Sequence, residues 1–219
     1  MKWLIKLLFL FLPIAGNAYE EDGQQWLSLS VQGIINKSNF GGYFEAQARR
    51  SDRQEKVYEY LIRPAVYYKS ENSGSFFIGQ LKRFDYASKE NENRYWVQWL
   101  KTFDAENLKI TSRFRQEYRE IKTIDEISQR SRLLLKGVWD KFPVGYDWKP
   151  FLASEIFYNW NDAGPIKKGL QQSRNSIGLG KSVSSTLFLE AFYMAQILNN
   201  PAREDQLNHN LVLSLNFGL

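Results

Sequence analysis

A chain of 219 residues with no cysteine and a formal net charge of +5 has room for one domain with a sizeable core or one mid-sized barrel. The missing cysteine excludes disulfide staples and all thiol chemistry, and basic residues that alternate with aliphatic ones instead of clustering argue against nucleic acid as a partner. A negative mean hydropathy does not exclude a membrane, because a transmembrane barrel turns half of every strand to a polar interior, and 16% aromatic residues suit interfacial girdles as well as a packed β core.

The chain opens with an export signal. Lys2 and Lys6 give a positive start, Leu4 to Ala15 are almost wholly apolar, and Gly16-Asn17-Ala18 sets small residues before Tyr19 in the manner of a cleavage site. The apolar run is shorter than the ~20 residues that a spanning helix needs. Residues 1–18 are therefore expected to be a cleaved signal peptide and residues 19–219 a single barrel domain.

About eleven alternating runs follow, near 25–35, 41–51, 57–68, 75–84, 92–103, 107–119, 129–139, 149–160, 170–182, 185–197 and 208–219. Each is close to the ~9–11 residues that a tilted strand uses to cross a bilayer. The run 107–119 is the clearest. One parity carries Leu108, Ile110, Phe114 and Tyr118, the other Lys109, Arg113, Arg115, Glu117 and Arg119, and a period of two is a strand pattern. Elsewhere the same apolar phase reads Leu27, Leu29, Val31; Phe44, Ala46, Ala48; Tyr60, Ile62, Val66; Val97; Leu133, Leu135; Leu152, Ile156; Leu187, Leu189, Ala191; and Leu211, Leu213, Leu215, Leu219. After an export signal, this phase is expected to face lipid. The predicted fold is all-β, an antiparallel up-and-down transmembrane β-barrel of about ten to twelve strands.

Aromatics on the outward phase are predicted at the membrane interfaces: Tyr60, Tyr68, Tyr95, Trp99, Phe103, Trp139, Tyr158, Trp160, Tyr193 and Phe217. The pairs Tyr60/Tyr68 and Tyr95/Phe103 lie about 27 Å apart along a strand at ~3.3 Å per residue, or ~20 Å along the membrane normal after tilt, near the height of an apolar band. The inward phase collects Glu45, Arg49, Glu59, Arg63, Lys82, Arg94, Lys109, Arg113, Arg115, Glu117, Arg119, Arg130, Arg132, Lys136, Glu155, Arg174 and Glu190, twelve basic and five acidic.

Connections alternate in length. Those at 104–106 and 183–184 are tight, whereas 84–91, 120–128, 161–169 and 198–207 are longer and polar, with Gly164-Pro165 and Asn200-Pro201 as breakers. Short periplasmic turns and long external loops are the outer-membrane arrangement, but eleven strands conflict with an even number. Ten or twelve are therefore expected, with the error near 75–84, whose parity is poorly defined, or near 139–149, where Trp139-Asp140-Lys141-Phe142-Pro143 can hide a bend.

Motifs along nearly the whole chain carry a resemblance: Arg63-Pro64-Ala65-Val66-Tyr67-Tyr68, Arg113-Phe114-Arg115-Gln116-Glu117-Tyr118-Arg119, Glu155-Ile156-Phe157-Tyr158-Asn159, Gln172 to Gly180, Glu190 to Gln196 and His209 to Leu215. In their order they resemble a bacterial outer-membrane-barrel-like family of unknown function, domain of unknown function 2490. The resemblance implies a barrel of the Gram-negative cell envelope and no assigned activity. One departure is the end, Phe217-Gly218-Leu219, where outer-membrane strands commonly finish on an aromatic residue.

Two readings of the inward charges stay open. They are a salt-bridged filling, since buried charges persist when paired and Arg suits bidentate pairing with Glu, or a basic surplus that attracts small anionic solutes or lipopolysaccharide phosphates. About eight strands leave room for side chains alone and 16 or more leave a water channel, so ten to twelve imply a narrow or plugged lumen. His209 is the single histidine, and Asn208 and Asn210 beside it supply no carboxylate to orient a base. Glu117, Glu155 and Glu190 sit among arginines that favour their ionised forms and oppose general-acid chemistry. No catalytic residue, metal site or cofactor is therefore expected.

The function expected is an outer-membrane barrel, structural or a narrow anion-preferring, porin-like channel. Its partners would be outer-membrane lipid and lipopolysaccharide, and the barrel-insertion machinery during assembly. The alternatives are a soluble periplasmic, lipocalin-like barrel for an apolar ligand, and an outer-membrane lipid hydrolase.

Overall fold

The computed structural model describes residues 20–35, 38–51, 57–86, 88, 91–140, 147–199 and 205–219. The expected signal peptide, the Asn200-Pro201 breaker and the Lys141-Phe142-Pro143 part of the suggested bend lie outside the described residues. The rest is strand: β1 (Glu20–Ile34), β2 (Phe40–Ser51), β3 (Val57–Ser70), β4 (Gly74–Asp85), β5 (Glu92–Ala105), β6 (Leu108–Ile121), β7 (Ser128–Trp139), β8 (Lys149–Asn159), β9 (Gly169–Ser182), β10 (Leu187–Leu198) and β11 (Gln206–Gly218). No described helix is long and apolar enough to cross a membrane.

Each strand pairs antiparallel with the next, and β1 and β11 close the barrel side by side in parallel, from Glu20 opposite Gln206 to Gln32 opposite Gly218. This corrects the parity argument. The eleven runs of the sequence are eleven strands, and it is the assumption of an even number that fails. Each hairpin reverses the chain, so with an odd count the first and last strands run the same way, and the closing ladder has the evenly spaced, slanted bonds of a parallel pair. Eleven strands ~4.8 Å apart, tilted by ~40°, close on a backbone radius of about 11 Å.

The two ends of the barrel differ. One gathers the tight connections: Glu106-Asn107, with Glu106 at φ 52, the turn 71–73 before Gly74 at φ 88, and the link 183–186, where Ser184 Oγ accepts from the amide of Leu187 at 3.1 Å. A Cβ on Gly74 would also press on the carbonyl oxygen of Leu100, so this turn needs glycine. The other end carries the segments between β6 and β7 and between β8 and β9. There, Ile124 donates its amide to Ile121 O at 2.9 Å and Ala163 bridges to Ile166. The stretch 140–148, between β7 and β8, is the long connection at the tight-turn end.

The aliphatic phase is outside. Leu211 is 63% exposed and Ile78 62%, with Leu27, Phe44, Val66, Val97, Phe114, Leu133 and Leu213 exposed beside them. Inside lie two apolar clusters that charge patterning did not reveal: Leu61, Leu81 and Trp96 with Ala65 and Phe77, and Trp26, Met194 and Val212 with Phe192. Leu81 is fully buried, worth about 1.5–3 kcal/mol relative to exposure.

Strand β4 also corrects a residue. Leu81, Arg83 and Asp85 point inward, and Lys82 is on the outer row, opposite Ile62 of β3 and Asn93 of β5. Apolar residues occupy both faces of β4, Phe76, Ile78 and Phe84 outside and Phe77 and Leu81 inside. Its own alternation therefore says nothing, and pairing with its neighbours sets the phase.

Candidate functional site: the charged interior

The inward rows of β2 to β7 and of β9 carry long cations, and the small barrel radius makes side chains from separated strands meet. Lys136 of β7 reaches Glu190 of β10, Arg113 of β6 reaches Glu155 of β8 at 2.6 Å, and Arg174 of β9 lies over the ring of Trp26 of β1 with 5.0 Å to its centroid.

Carboxylates act as hubs, because each ionised carboxylate offers about four lone-pair sites. Glu92 accepts from Arg94 Nε at 2.6 Å and Nη2 at 2.8 Å, and from Arg119 Nε at 2.6 Å. Glu117 takes Arg130 through Nε at 3.0 Å and Nη2, and Arg132 through Nη1 at 2.8 Å. Glu155 takes Arg132 Nε at 2.9 Å and Arg113. Glu59 takes Arg49 and Arg83, and Arg83 also reaches Asp85. Glu45 takes Arg63 Nη1 at 2.6 Å and the hydroxyl of Tyr43. Buried charge survives here because it is paired and hydrogen-bonded.

Of the charged residues expected inside, Glu59, Arg63, Arg115, Glu117, Arg119, Arg130, Arg132 and Glu155 are buried, with Glu45 at the margin, and Arg49, Arg94, Arg113, Lys136, Arg174 and Glu190 are half-buried. Lys109 is at the barrel end, 3.0 Å from Asp140, and Lys149 is 2.7 Å from the same carboxylate. The hydrogen bond from Lys149 holds the Asp140 carboxyl below its ordinary value. Sequence reading missed Asp22, Arg83, Asp85 and Glu92, all turned inward. The signal for Glu92 was its position two residues before Arg94 and four before Trp96 on one parity. For Arg83 and Asp85 no signal existed, given the ambiguity of β4.

Among the described residues the interior therefore holds eleven cations, Arg49, Arg63, Arg83, Arg94, Arg113, Arg115, Arg119, Arg130, Arg132, Lys136 and Arg174, against eight carboxylates, Asp22, Glu45, Glu59, Asp85, Glu92, Glu117, Glu155 and Glu190. The excess is smaller than the sequence suggested, and it is localised. Arg115 gives Nε and Nη2 to the amide oxygen of Gln98 at 2.9 and 2.6 Å, stacks 4.3 Å over Trp96, and has its nearest carboxylate contact, to Glu117, at 3.7 Å. Arg174 gives its fork to the Gln172 amide oxygen, oriented by its network, and approaches Glu155 only to 3.9 Å.

Three cavities lie in series along the axis. At the tight-turn end, about 470 Å³ is lined by Gln32, Tyr43, Ser184 and Phe217, with Glu190 as the one charged residue among the described lining. It shares Glu190 and Asn216 with a cavity of about 400 Å³ lined by five arginines, Lys136, Glu45, Glu155 and Glu190. That one shares Trp26, Arg49, Arg63, Arg132 and Arg174 with a third of about 320 Å³, lined, among the described residues, by eight arginines and one carboxylate, Glu59. Trp26, with the guanidinium of Arg49 3.7 Å from its ring centroid, stands between the last two.

On the outer surface, Tyr60, Tyr95, Tyr158, Trp160 and Tyr193 lie toward the long-connection end, and Tyr68, Trp99, Phe103, Trp139 and Phe217 toward the other. Several have polar handles: Trp160 Nε1 donates to Ser131 Oγ and Trp99 Nε1 to Ser73 O, both at 2.7 Å. His209 sits on this outer surface too, its Nδ1 2.7 Å from the hydroxyl of Tyr193. Among the described residues no group of three or more His, Asp or Glu is placed to hold a metal ion.

A closed β-barrel with aliphatic rows outside and an arginine–carboxylate network inside is the class that these features define. The family described as Protein of unknown function (DUF2490) matches residues 23–208, and the chain belongs to it. Neither a curated protein nor a solved structure matches the chain.

Proposed function

We propose that this protein is an outer-membrane β-barrel of the Gram-negative envelope, exported by a cleaved signal peptide, whose narrow arginine-rich lumen gives small anions preference over cations. The observation that carries the reading is the division of the wall: exposed aliphatic rows outside and, among the described residues, eleven cations against eight carboxylates inside. A lipid-facing surface needs the first, and an anion preference follows from the second. A soluble lipocalin-like barrel needs the opposite phase, with aliphatic rows around the ligand. The aromatics at the two strand ends suit the two interfaces, and the barrel-insertion machinery and lipopolysaccharide are the partners that such a location entails.

The tight-turn end would face the periplasm, which sets the eight-arginine cavity toward the outside. The reading assigns no catalytic residue. Two measurements test it. Fractionation is expected to recover the protein in the sarkosyl-insoluble envelope with heat-modifiable gel mobility, and recovery from the periplasmic extract without a mobility shift would sink the membrane assignment. Single-channel recording across a salt gradient is expected to give small steps with an anion-selective reversal potential. Absent steps or cation selectivity would remove the channel.

A further inference from the structure

We infer that the eight-arginine cavity is a binding site for a compact multivalent oxyanion, a phosphate-type group, centred on the Arg174–Gln172 pair. This deepens the anion-preferring reading, but it rests on the interior geometry and not on membrane insertion or conductance.

Four observations converge. The first is that the close partner of Arg174 is neutral, while the carboxylate of Glu155 stays 3.9 Å from its Nη1. The buried Gln172 takes its Nε at 2.5 Å and its Nη2 at 3.0 Å on an amide oxygen, and receives Gln196 Nε2 at 2.8 Å. A glutamate would make the same fork-shaped contact and cancel the charge, as Glu92 and Glu155 do for their arginines. The glutamine keeps the geometry and leaves the charge for something else. Second, two buried arginines lining the same cavity keep donors for which the described residues supply no acceptor, Nη1 of Arg119 and Nε of Arg63, so the described acceptors do not use up the cations here.

Third, the lining is rich in donors and poor in acceptor charge. The one carboxylate among the described lining residues, Glu59, is already occupied by Arg49 and Arg83, whereas Gln196, Gln206 and Asn208 add side-chain amides. Fourth, about 320 Å³ lies at the small end of the ~300–1,000 Å³ of ligand sites, which suits a phosphate-sized group and not a long chain. Planar guanidinium forks match tetrahedral oxyanions bidentately. The multivalent class follows from the positive charge gathered around one space, where seven arginines hold close carboxylate partners and Arg174 has the neutral Gln172 in that place.

The test uses the full-length protein purified in detergent at low ionic strength, titrated calorimetrically with inorganic pyrophosphate and, separately, with short-chain phosphatidic acid below its micellar concentration. Saturable binding is expected, weakened at least about tenfold in Gln172→Glu, because one added negative charge beside Arg174 repels the anion through a low-dielectric interior. Gln172→Glu is expected to unfold at a higher temperature than the parent protein, since Arg174 gains a charged partner. Gln129→Glu, the same charge change on the outer surface, is expected to bind as the parent does. Should Gln172→Glu not fold, Arg174→Gln is the second variant, with the same loss expected.

Binding of pyrophosphate identifies a free solute as the source of the anion, and binding of phosphatidic acid alone identifies a lipid headgroup. Either supports the site if Gln172→Glu weakens it. No saturable binding of either probe, equal binding by Gln172→Glu, or equal weakening by Gln129→Glu overturns it. Because neither fractionation nor conductance enters the measurement, its failure is distinct from failure of the membrane or channel reading.

Discussion

Replacing Glu92 with glutamine is the sharpest perturbation of the interior. Its side chain is inaccessible to solvent, it accepts Nε and Nη2 from both Arg94 and Arg119, and Arg83 Nη1 lies 3.9 Å away. Arg83 keeps Glu59 and Asp85 after the change, but Arg94 and Arg119 lose the carboxylate that both share. The new amide also turns an N–H₂ toward a guanidinium. Removing one partner of a buried ion pair costs about 3–5 kcal/mol, because the remaining charge stays buried, and two guanidiniums are stranded here, so the expected loss lies near 5 kcal/mol. At about 2–4 °C per kcal/mol for a domain of this size, the unfolding midpoint should fall by roughly 10–20 °C. Urea unfolding in detergent, followed by tryptophan fluorescence, measures it, with exposed Glu120→Gln as a control expected to stay within about 0.5 kcal/mol. A Glu92→Gln protein within about 1 kcal/mol of the parent would refute the idea that the carboxylates are buried hubs and would point to a well-hydrated, screened interior. Arg119→Gln combined with Glu92→Gln should fall short of additivity, since both remove the same contact.

Three further outcomes follow from the same geometry. Leu211→Arg, at an outer position 63% exposed, should cost about 2–4 kcal/mol if the row faces the middle of a bilayer and no more than about 0.5 kcal/mol if it faces water; refolding into vesicles against refolding in detergent separates the two. Leu81→Ala should cost about 2–5 kcal/mol by opening a void against Leu61 and Trp96, and a near-neutral result in urea unfolding would mean that the inner apolar cluster contributes no stability. At the tight-turn end, the Asp140 carboxyl is held below its usual value by Lys149. Its stabilising contribution is present above the ordinary carboxylate range near pH 4 and is lost as the pH falls through the depressed value. This surface contact is worth under about 1 kcal/mol, and Asp140→Asn should flatten that acid-side decline in unfolding midpoint while leaving neutral-pH stability nearly unchanged.

Much of the interior was legible before any coordinates. The run Arg113-Phe114-Arg115-Gln116-Glu117-Tyr118-Arg119 declares its two faces because charge and aromatics alternate without a break, and its odd positions are indeed turned inward. The same holds for Arg130 and Arg132 on β7 and for Glu45 and Arg49 on β2. Strand β4 was not legible, since Phe76 and Phe77 are adjacent and both phases are apolar, and Lys82 was consequently assigned to the wrong side. Trp26, Leu61 and Trp96 were hidden for a related reason: an inward apolar residue on a charged row looks, in one dimension, like an irregularity. The surplus of positive charge was overstated because Glu92, on the parity of Arg94, was passed over and because the two apolar faces of β4 hid Asp85 and placed Lys82 inside.

The eleven alternating runs, most of their outward rows and the positions of most arginines were determined by the amino-acid order alone, because side-chain alternation along an extended chain is a local property with a period of two, although the assumption of an even number turned eleven runs into an expectation of ten or twelve strands. The parallel seam between β1 and β11, the inward phase of β4, the sharing of Glu117 between Arg130 and Arg132, and the glutamine partners of Arg115 and Arg174 were decided only when the barrel closed. These are lateral relations between residues up to 186 positions apart. They depend on register, tilt and radius, which belong to the closed sheet as a whole and to no single strand.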